Sequence, residues 1–366
     1  MKYYIIAGEA SGDLYGSRLI TEIKSLDKNA EIKFWGGDKM ILSGGTNVKH
    51  ISELAFMGFY EVIKNLDKIF SNISFCKKDI LAFNPDKIIY IDYPGFNLRI
   101  CDWAKKKGFN NYFYISPQIW AWKEGRIKKI KRSVDKLYVI FPFEKKYYNE
   151  KHNMDTFYFG HPLIEAISSH NINNSFFIDN NIPNNKPVIA FLPGSRTQEI
   201  KTMLPIFLSI ISDYPNYNFV IAGVSNVDPK LYNLAAYSNL YILYNKTYDL
   251  LSNSFAAIVT SGTASLECSL FKVPQLVCYK TSYLSYFIGK LFVKLRHISL
   301  VNILLEKNIV KELIQGDLNK KNLAFEFNKL CEKETRSKII KEYSKIYDLL
   351  SFKDTSKKIA SSIIFS

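Results

Sequence analysis

Short uninterrupted apolar runs recur along this 366-residue chain, separated by stretches whose apolar positions return every three or four residues. The first kind reads as a strand buried on both faces, the second as a helix with one apolar stripe. In the first half the runs fall at Tyr3-Tyr4-Ile5-Ile6-Ala7, 31–35, 87–91, 111–115 and 136–141, with helical spacing over 14–26, 65–83, 98–107 and 126–132. In the second half they fall at 188–191, 219–222, 240–243, 256–260 and 275–279. Strand–helix alternation at this spacing predicts parallel sheets joined by crossover helices. A polar, Asn-rich stretch over 170–186, closed by Pro183 and Pro187, divides the two series. The predicted fold is therefore α/β: two Rossmann-like, doubly wound parallel-sheet domains facing a cleft, one over 1–170 and one over 187–330. The basic, helical segment 331–366 is expected to pack on the N-terminal domain or on a partner protomer. Its neighbourhood carries Phe325, Leu330, Ile339, Ile346, Leu349 and Leu350 as apolar markers.

Composition narrows the class. Apolar residues make up 47% and charged residues 23%, which excludes a disordered chain. Lys and Arg outnumber Asp and Glu by 49 to 34, a net charge of +15. A basic surface suits nucleic acid, an anionic membrane or an anionic substrate, and it also arises by drift in a chain rich in Lys, Asn, Ile, Tyr and Phe. The chain lacks the run of roughly 18 apolar residues that a spanning helix needs, and Met1-Lys2 leads directly into a strand rather than a secretory leader. Cys76, Cys101, Cys268, Cys278 and Cys331 form no Cys-x-x-Cys pair, as expected of reduced thiols in a cytoplasmic protein.

Two glycine-bearing loops follow strands and open helices, one near the start of each half. Backbone N–H groups converge at such a turn, at the positive end of the helix dipole, and make an anion pocket. The first loop is Gly8-Glu9-Ala10-Ser11-Gly12-Asp13; Glu9, Ser11, Gly12 and Asp13 are cleft candidates, with Glu9 and Asp13 either bases or braces of the loop. The second is Leu192-Pro193-Gly194-Ser195-Arg196, where Gly194 allows close approach, Ser195 adds a hydroxyl and Arg196 offers a planar fork to phosphate oxygens. Neither is a Walker loop nor a Gly-x-Gly-x-x-Gly dinucleotide fingerprint.

After the strand at 256–260, Ser261, Gly262, Thr263 and Ala264 can meet a second phosphate, and Glu267 lies one turn on, where a carboxylate can take ribose hydroxyls. An N-capped helix with an acidic first turn reads the same way. Asp92 closes another buried strand before Tyr93-Pro94-Gly95-Phe96-Asn97 and is either a general base for a hydroxyl or a turn cap. Ser116, Gln118 and Trp120 sit in Ser116-Pro117-Gln118-Ile119-Trp120-Ala121-Trp122, ahead of Lys123, Arg126 and further basic residues. That stretch is a cleft wall with a basic rim, a single-strand nucleic-acid surface, or a core tryptophan pair beside a solvated helix. Leu284, Phe287, Ile288, Leu291, Phe292 and Leu295 make an apolar stripe flanked by Lys290 and Lys294, suited to a membrane interface or to a core. The histidines show no metal-ligand spacing and the chain has no Asp-x-Asp, so no metal and no cofactor are expected.

The ordered series Gly8-Glu9-Ala10-Ser11-Gly12-Asp13, Met57-Gly58-Phe59-Tyr60-Glu61-Val62 and Asp92-Tyr93-Pro94-Gly95-Phe96-Asn97 resembles the lipid-A-disaccharide synthase family. The likeness continues through the Ser116 to Trp122 stretch, Phe141-Pro142-Phe143-Glu144, Gly160-His161-Pro162, Leu192 to Arg196 with Glu199, Ser261 to Glu267, and Ser299-Leu300-Val301-Asn302. The matches run in order over nearly the whole chain. Val301 and Asp38 depart from it, standing where the family commonly has proline.

The resemblance implies a GT-B type, metal-independent, inverting glycosyltransferase of lipid A biosynthesis. It joins UDP-2,3-diacylglucosamine to 2,3-diacylglucosamine 1-phosphate and releases UDP and the β-1,6-linked disaccharide 1-phosphate. By the same resemblance Asp92 is the general base, and Arg196, Glu267 and Asn302 serve UDP binding or activity. The partners implied are the UDP-diacylglucosamine donor, the diacylglucosamine 1-phosphate acceptor and the membrane surface. The location implied is peripheral, at the cytoplasmic face of the inner membrane, and a homodimer with exchanged C-terminal segments suits the basic tail. A UDP-sugar epimerase or hydrolase on the same fold is the alternative, with a nucleic-acid-binding protein behind it; no nucleic-acid partner is expected.

Overall fold

A computed structural model describes residues 1–54, 66–225, 227–232, 237–282 and 296–366. The motif at 57–62 and the apolar stripe at 284–295 lie outside these residues. The chain divides into two compact units, one made of Met1–Ala166 with Leu350–Ser366, the other of Ile167–Leu349.

The first unit is built on a seven-stranded parallel sheet: β1 (Lys2–Ala7), β2 (Glu31–Gly36), β3 (Thr46–His50), β4 (Lys87–Ile91), β5 (Asn110–Tyr114), β6 (Lys136–Val139) and β7 (Phe157–Tyr158). The order across it is β3-β2-β1-β4-β5-β6-β7. Every residue of β4 is buried, as a strand covered on both faces requires. Helices α1 (Ala10–Leu26), α2 (Asp38–Ser43), α3 (Leu66–Phe83), α4 (Pro94–Lys106), α5 (Ile127–Ser133), α6 (Pro142–Lys146) and α7 (Pro162–Ser168) connect or flank the strands, α7 running across the division. Tyr4, Ile6, Trp35, Ile88, Tyr90 and Phe113 form the heart of one core layer. The indole of Trp35 donates to Tyr4 Oη at 2.9 Å, so this buried polar pair is matched.

The second unit carries a six-stranded parallel sheet: β8 (Val188–Leu192), β9 (Asn218–Gly223), β10 (Leu240–Tyr244), β11 (Ala256–Thr260), β12 (Gln275–Tyr279) and β13 (Lys311–Ile314), ordered β10-β9-β8-β11-β12-β13. Its helices include α8 (Thr197–Leu208), α9 (Thr247–Ser252), α10 (Thr263–Leu270), α11 (Leu300–Leu305), α12 (Lys320–Cys331) and α13 (Lys333–Leu350).

Both sheets reverse their strand order once, between β1 and β4 in the first and between β8 and β11 in the second. In open α/β sheets that reversal leaves a crevice outside the carboxyl ends of the strands, where ligands bind. The register sets Ala7 beside Ile91 and Leu192 beside Val259, so the four segments singled out in the sequence emerge in pairs.

The polar stretch over 170–186 belongs to the second unit rather than standing between the two, and α13 falls in the second unit up to Leu349. The tail that joins the first unit starts at Leu350. Its helix Thr355–Ile364 is fixed by Ser356, which donates from N and Oγ to the Glu165 carboxylate, and by Thr355 Oγ1, which donates to Phe159 O at 2.7 Å. Of the expected apolar markers, Leu330, Ile339, Ile346 and Leu350 are buried; Phe325 is 57% exposed, its ring covered by Lys329 Nζ at 4.2 Å. All five cysteines are free thiols, and only Cys331 is less than buried.

Candidate functional site

In the first unit the glycine loop and the Asp92 corner emerge side by side from β1 and β4. Gly8 leaves room for the Tyr93 ring; a Cβ there would lie 2.4 Å from it. Glu9 is the half-buried N-cap of α1, Ser11 is half-buried and Gly12 is buried inside the helix. Asp13 is a brace. It is 5% exposed and its carboxylate accepts from the N–H groups of Gly37 at 2.7 Å, Met40 at 3.0 Å and Lys39 at 3.1 Å. It thereby caps the start of α2.

Asp92 and Tyr93 both adopt left-handed backbone, with φ of 47° and 51°. The turn is held from beneath. Asp92 N–H donates to Tyr114 O at 3.0 Å, and the fully buried Asn97 donates from Nδ2 to Asp92 O at 2.7 Å. The half-buried Asp92 carboxylate lies within electrostatic reach of Arg126. Burial pulls that guanidinium below its usual range, and the Asp92 charge opposes the shift.

The Ser116 to Trp122 stretch hangs on Glu144, whose role was hidden in the sequence. Glu144 is fully buried; its Oε1 accepts from Ser116 Oγ and Trp120 Nε1, each at 2.9 Å, and its Oε2 accepts from Ile140 N and Phe141 N, each at 3.0 Å. Burial raises its carboxyl above the usual range, and these four donors pull it back. The available signal was a Glu three residues after Phe141 and two after Pro142, at the third position of a helix. Trp120 is half-buried edge-on against Phe143, with centroids 4.8 Å apart, whereas Gln118 is exposed. Trp122 is 45% exposed beneath Lys123 Nζ at 4.2 Å and beside Arg126 at 5.6 Å. His161 is buried and bonded through Nδ1 to Leu163 N–H; burial takes its pKa down to about 3, so it is neutral at physiological pH.

In the second unit Gly194 turns out of β8 with φ of 116°. A Cβ on it would fall 2.5 Å from Glu199 Oε2. Ser195 N–H donates to that same oxygen at 3.1 Å, and Arg196 Nη1 donates to Glu199 Oε1 at 3.1 Å. Arg196 is the N-cap of α8 and its side chain is 45% exposed.

Beside this loop, Ser261 is held by its own backbone and hydroxyl, which donate to Cys278 O at 3.0 Å and Ile298 O at 2.8 Å. Gly262 and Thr263 are exposed at the mouth of α10, and Ala264 is half-buried behind them. The helix dipole there favours an anion. Glu267, one turn on, is half-buried, and desolvation pushes its carboxyl up to about 7. Tyr248 Oη, 3.4 Å from Glu267 Oε1, is its hydrogen-bond donor.

Asn302 is fully buried in α11. Its Oδ1 accepts from Ile309 N at 2.8 Å and Val310 N at 3.0 Å, and its Nδ2 donates to Val310 O and Glu312 Oε1, each at 2.9 Å. An amide has two donors and two lone pairs, so every one is engaged. Val301 N–H donates to the N-cap Ser299 Oγ at 3.2 Å, a bond that proline at this position could not make.

The family model described as lipid-A-disaccharide synthetase matches residues 3–364. The lipid-A-disaccharide synthase of Francisella philomiragia is 36% identical over 373 aligned positions, covering 98% of this chain and 97% of its own. That of Coxiella burnetii is 33% identical over 370, covering 99% and 98%. Lipid-A-disaccharide synthase 1 of Legionella pneumophila is 38% identical over 332, covering 87% and 85%. Among solved structures, the UDP-GlcNAc 2-epimerase of Neisseria meningitidis bound to UDP-GlcNAc superposes with a TM-score of 0.72 at 15% identity, covering both chains fully. The calicheamicin glycosyltransferase CalG4 gives 0.61 at 11%, covering 100% of this chain and 97% of its own. At such identities the likeness is one of fold.

Proposed function

The chain belongs to the lipid-A-disaccharide synthase family, and we propose that it joins UDP-2,3-diacylglucosamine to the 6-hydroxyl of 2,3-diacylglucosamine 1-phosphate in one inverting displacement. It is thus a glycosyltransferase enzyme of lipid A biosynthesis. The observation that carries the residue-level reading is the placement of Asp92 and of the Gly194 and Ser261 loops at the strand-order reversals of the two sheets.

Asp92 takes the proton from the acceptor hydroxyl as that oxygen attacks the sugar carbon and the bond to UDP breaks. Arg196, the Gly194–Ser195 turn with its Ser195 N–H, and the N–H groups of Gly262, Thr263 and Ala264 stabilise the leaving diphosphate, and Glu267 takes the ribose hydroxyls. Preorganised donors aimed at developing charge are worth several kcal/mol in such a step. Asp13 and Asn302 act as positioning residues, one behind the glycine loop and the other behind the start of α11. Gln118 and Trp120 line the acceptor side with Glu9 and Ser11, and the buried Ser116 and Gly12 support them from behind.

Acyl substrates call for work at a lipid surface, and we place the enzyme at the cytoplasmic face of the inner membrane. The charge of +15 favours an anionic surface. No helix among the described residues is long and apolar enough to cross a membrane. The docked tail beyond Leu350 is a segment that a second protomer could supply in exchange, giving a homodimer.

Mass spectrometry of products from UDP-diacylglucosamine, with and without the acceptor, tests the reaction. Disaccharide 1-phosphate that forms only with acceptor supports it. Free sugar, or an epimerised donor, formed without acceptor identifies a hydrolase or an epimerase instead.

A further inference from the structure

The two donors at the head of α8 already hold an anion, and it belongs to the chain itself. Glu199 lies one turn into the helix, folds back, and offers one carboxylate oxygen to Ser195 N–H and the other to Arg196 Nη1, each at 3.1 Å. The carboxylate comes to rest against Gly194, in space that any larger residue at 194 would take. A phosphate that accepts from Ser195 N–H and from Arg196 Nη1 in this geometry would occupy the same position, because the single Ser195 N–H and that Nη1 donor are already engaged by the carboxylate. Tyr279, at the end of β12, feels both charges: Glu199 raises and Arg196 lowers its phenol pKa, after burial as the main cause. The salt bridge is solvent-accessible, with side-chain accessibilities of 45% for Arg196 and 33% for Glu199, so solvent screens it and its net strength is small.

Resting on the UDP reading given above, we propose that Glu199 is a displaceable internal ligand of the diphosphate seat, which UDP must evict in order to engage Ser195 and Arg196. The displaced carboxylate then stands beside a leaving diphosphate that gains a further negative charge as the sugar bond breaks, and its return favours release of UDP after transfer. Apparent affinity falls by the fraction of molecules in which the seat is open. With the carboxylate seated about nine-tenths of the time, UDP binds about tenfold more weakly than to an open seat.

Calorimetric titration of UDP into the intact enzyme and into Glu199→Gln tests this, with circular dichroism and melting temperature as the check on folding. A folded Glu199→Gln protein that binds UDP about 5- to 10-fold more tightly, with slower UDP release in stopped flow, supports the proposal. Unchanged or weaker binding by that folded protein overturns it and makes Glu199 a fixed brace for Arg196. Should Glu199→Gln fail to fold, Glu199→Ala is judged by the same criteria. Arg196→Ala separates the two levels. If that variant binds UDP as the parent does, the diphosphate site itself is misplaced; if its binding is lost while Glu199→Gln is unaltered, only the eviction is wrong.

Discussion

Ser116 and Trp120 share a single carboxylate oxygen, Oε1 of Glu144, each donating to it over 2.9 Å inside the first unit. The other oxygen holds the N–H groups of Ile140 and Phe141, so one residue ties the segment after β5 to the end of β6. In Glu144→Gln an NH2 group would face two backbone donors. The expected loss is about 2–5 kcal/mol of stability, read by urea denaturation, together with a shift in tryptophan emission and a raised KM for the acceptor. A variant as stable as the parent would show that the shared carboxylate is dispensable.

Asp92→Asn keeps the size of the side chain and removes the proposed base. We expect kcat to fall on the order of 100- to 10,000-fold while UDP affinity stays the same. Arg196→Ala should lose on the order of 100-fold or more in rate and should also weaken UDP binding. Near-normal turnover by Asp92→Asn would remove that residue from the mechanism.

Glu267 makes folding stability depend on pH. Its folded-state pKa stands at about 7 against an ordinary 4.5, so the native state holds the proton more tightly than the unfolded chain. The stabilisation is complete below 4.5, declines as pH rises to about 7, and changes no further above that. The slope is on the order of 1 kcal/mol per pH unit. Glu267→Gln should flatten that part of the profile, and melting temperatures across this range would decide the matter.

Asn302→Ala leaves Ile309 N, Val310 N and Glu312 each short of a partner in a buried corner. A stability loss of about 2–4 kcal/mol is expected. Turnover per folded molecule, measured well below the melting point, should fall far less than in Asp92→Asn. An equal fall would place Asn302 among the reacting groups.

The strands most legible in the sequence were those buried on both faces, such as β4 and β8, because uninterrupted apolar runs have few other readings. The strands missing from that reading are at or near sheet edges. β3 (Thr46–His50) is largely polar and only half-buried, β7 (Phe157–Tyr158) is two residues long, and Lys311 and Glu312 disguise β13. Asp92 and Arg196 stood out in the sequence because each lies in a turn that follows a buried strand, one directly after β4 and the other between β8 and α8. Whether a carboxylate reacts or braces was not visible, because Asp13, Glu144 and Glu199 differ in the donors that folding brings to them. Those donors lie 24, 28 and 4 residues away at Gly37, Ser116 and Ser195.

The left-handed pair at Asp92 and Tyr93 also bears on engineering. Two consecutive residues with side chains in that region cost about 2 kcal/mol or more together, a penalty that glycine escapes. Asp92→Gly would relieve only its own share of that strain, and glycine's greater loss of backbone freedom on folding offsets part of the gain; on the proposed mechanism it would also remove the base, so a screen that rewards thermal robustness alone has no reason to keep a carboxylate at this corner.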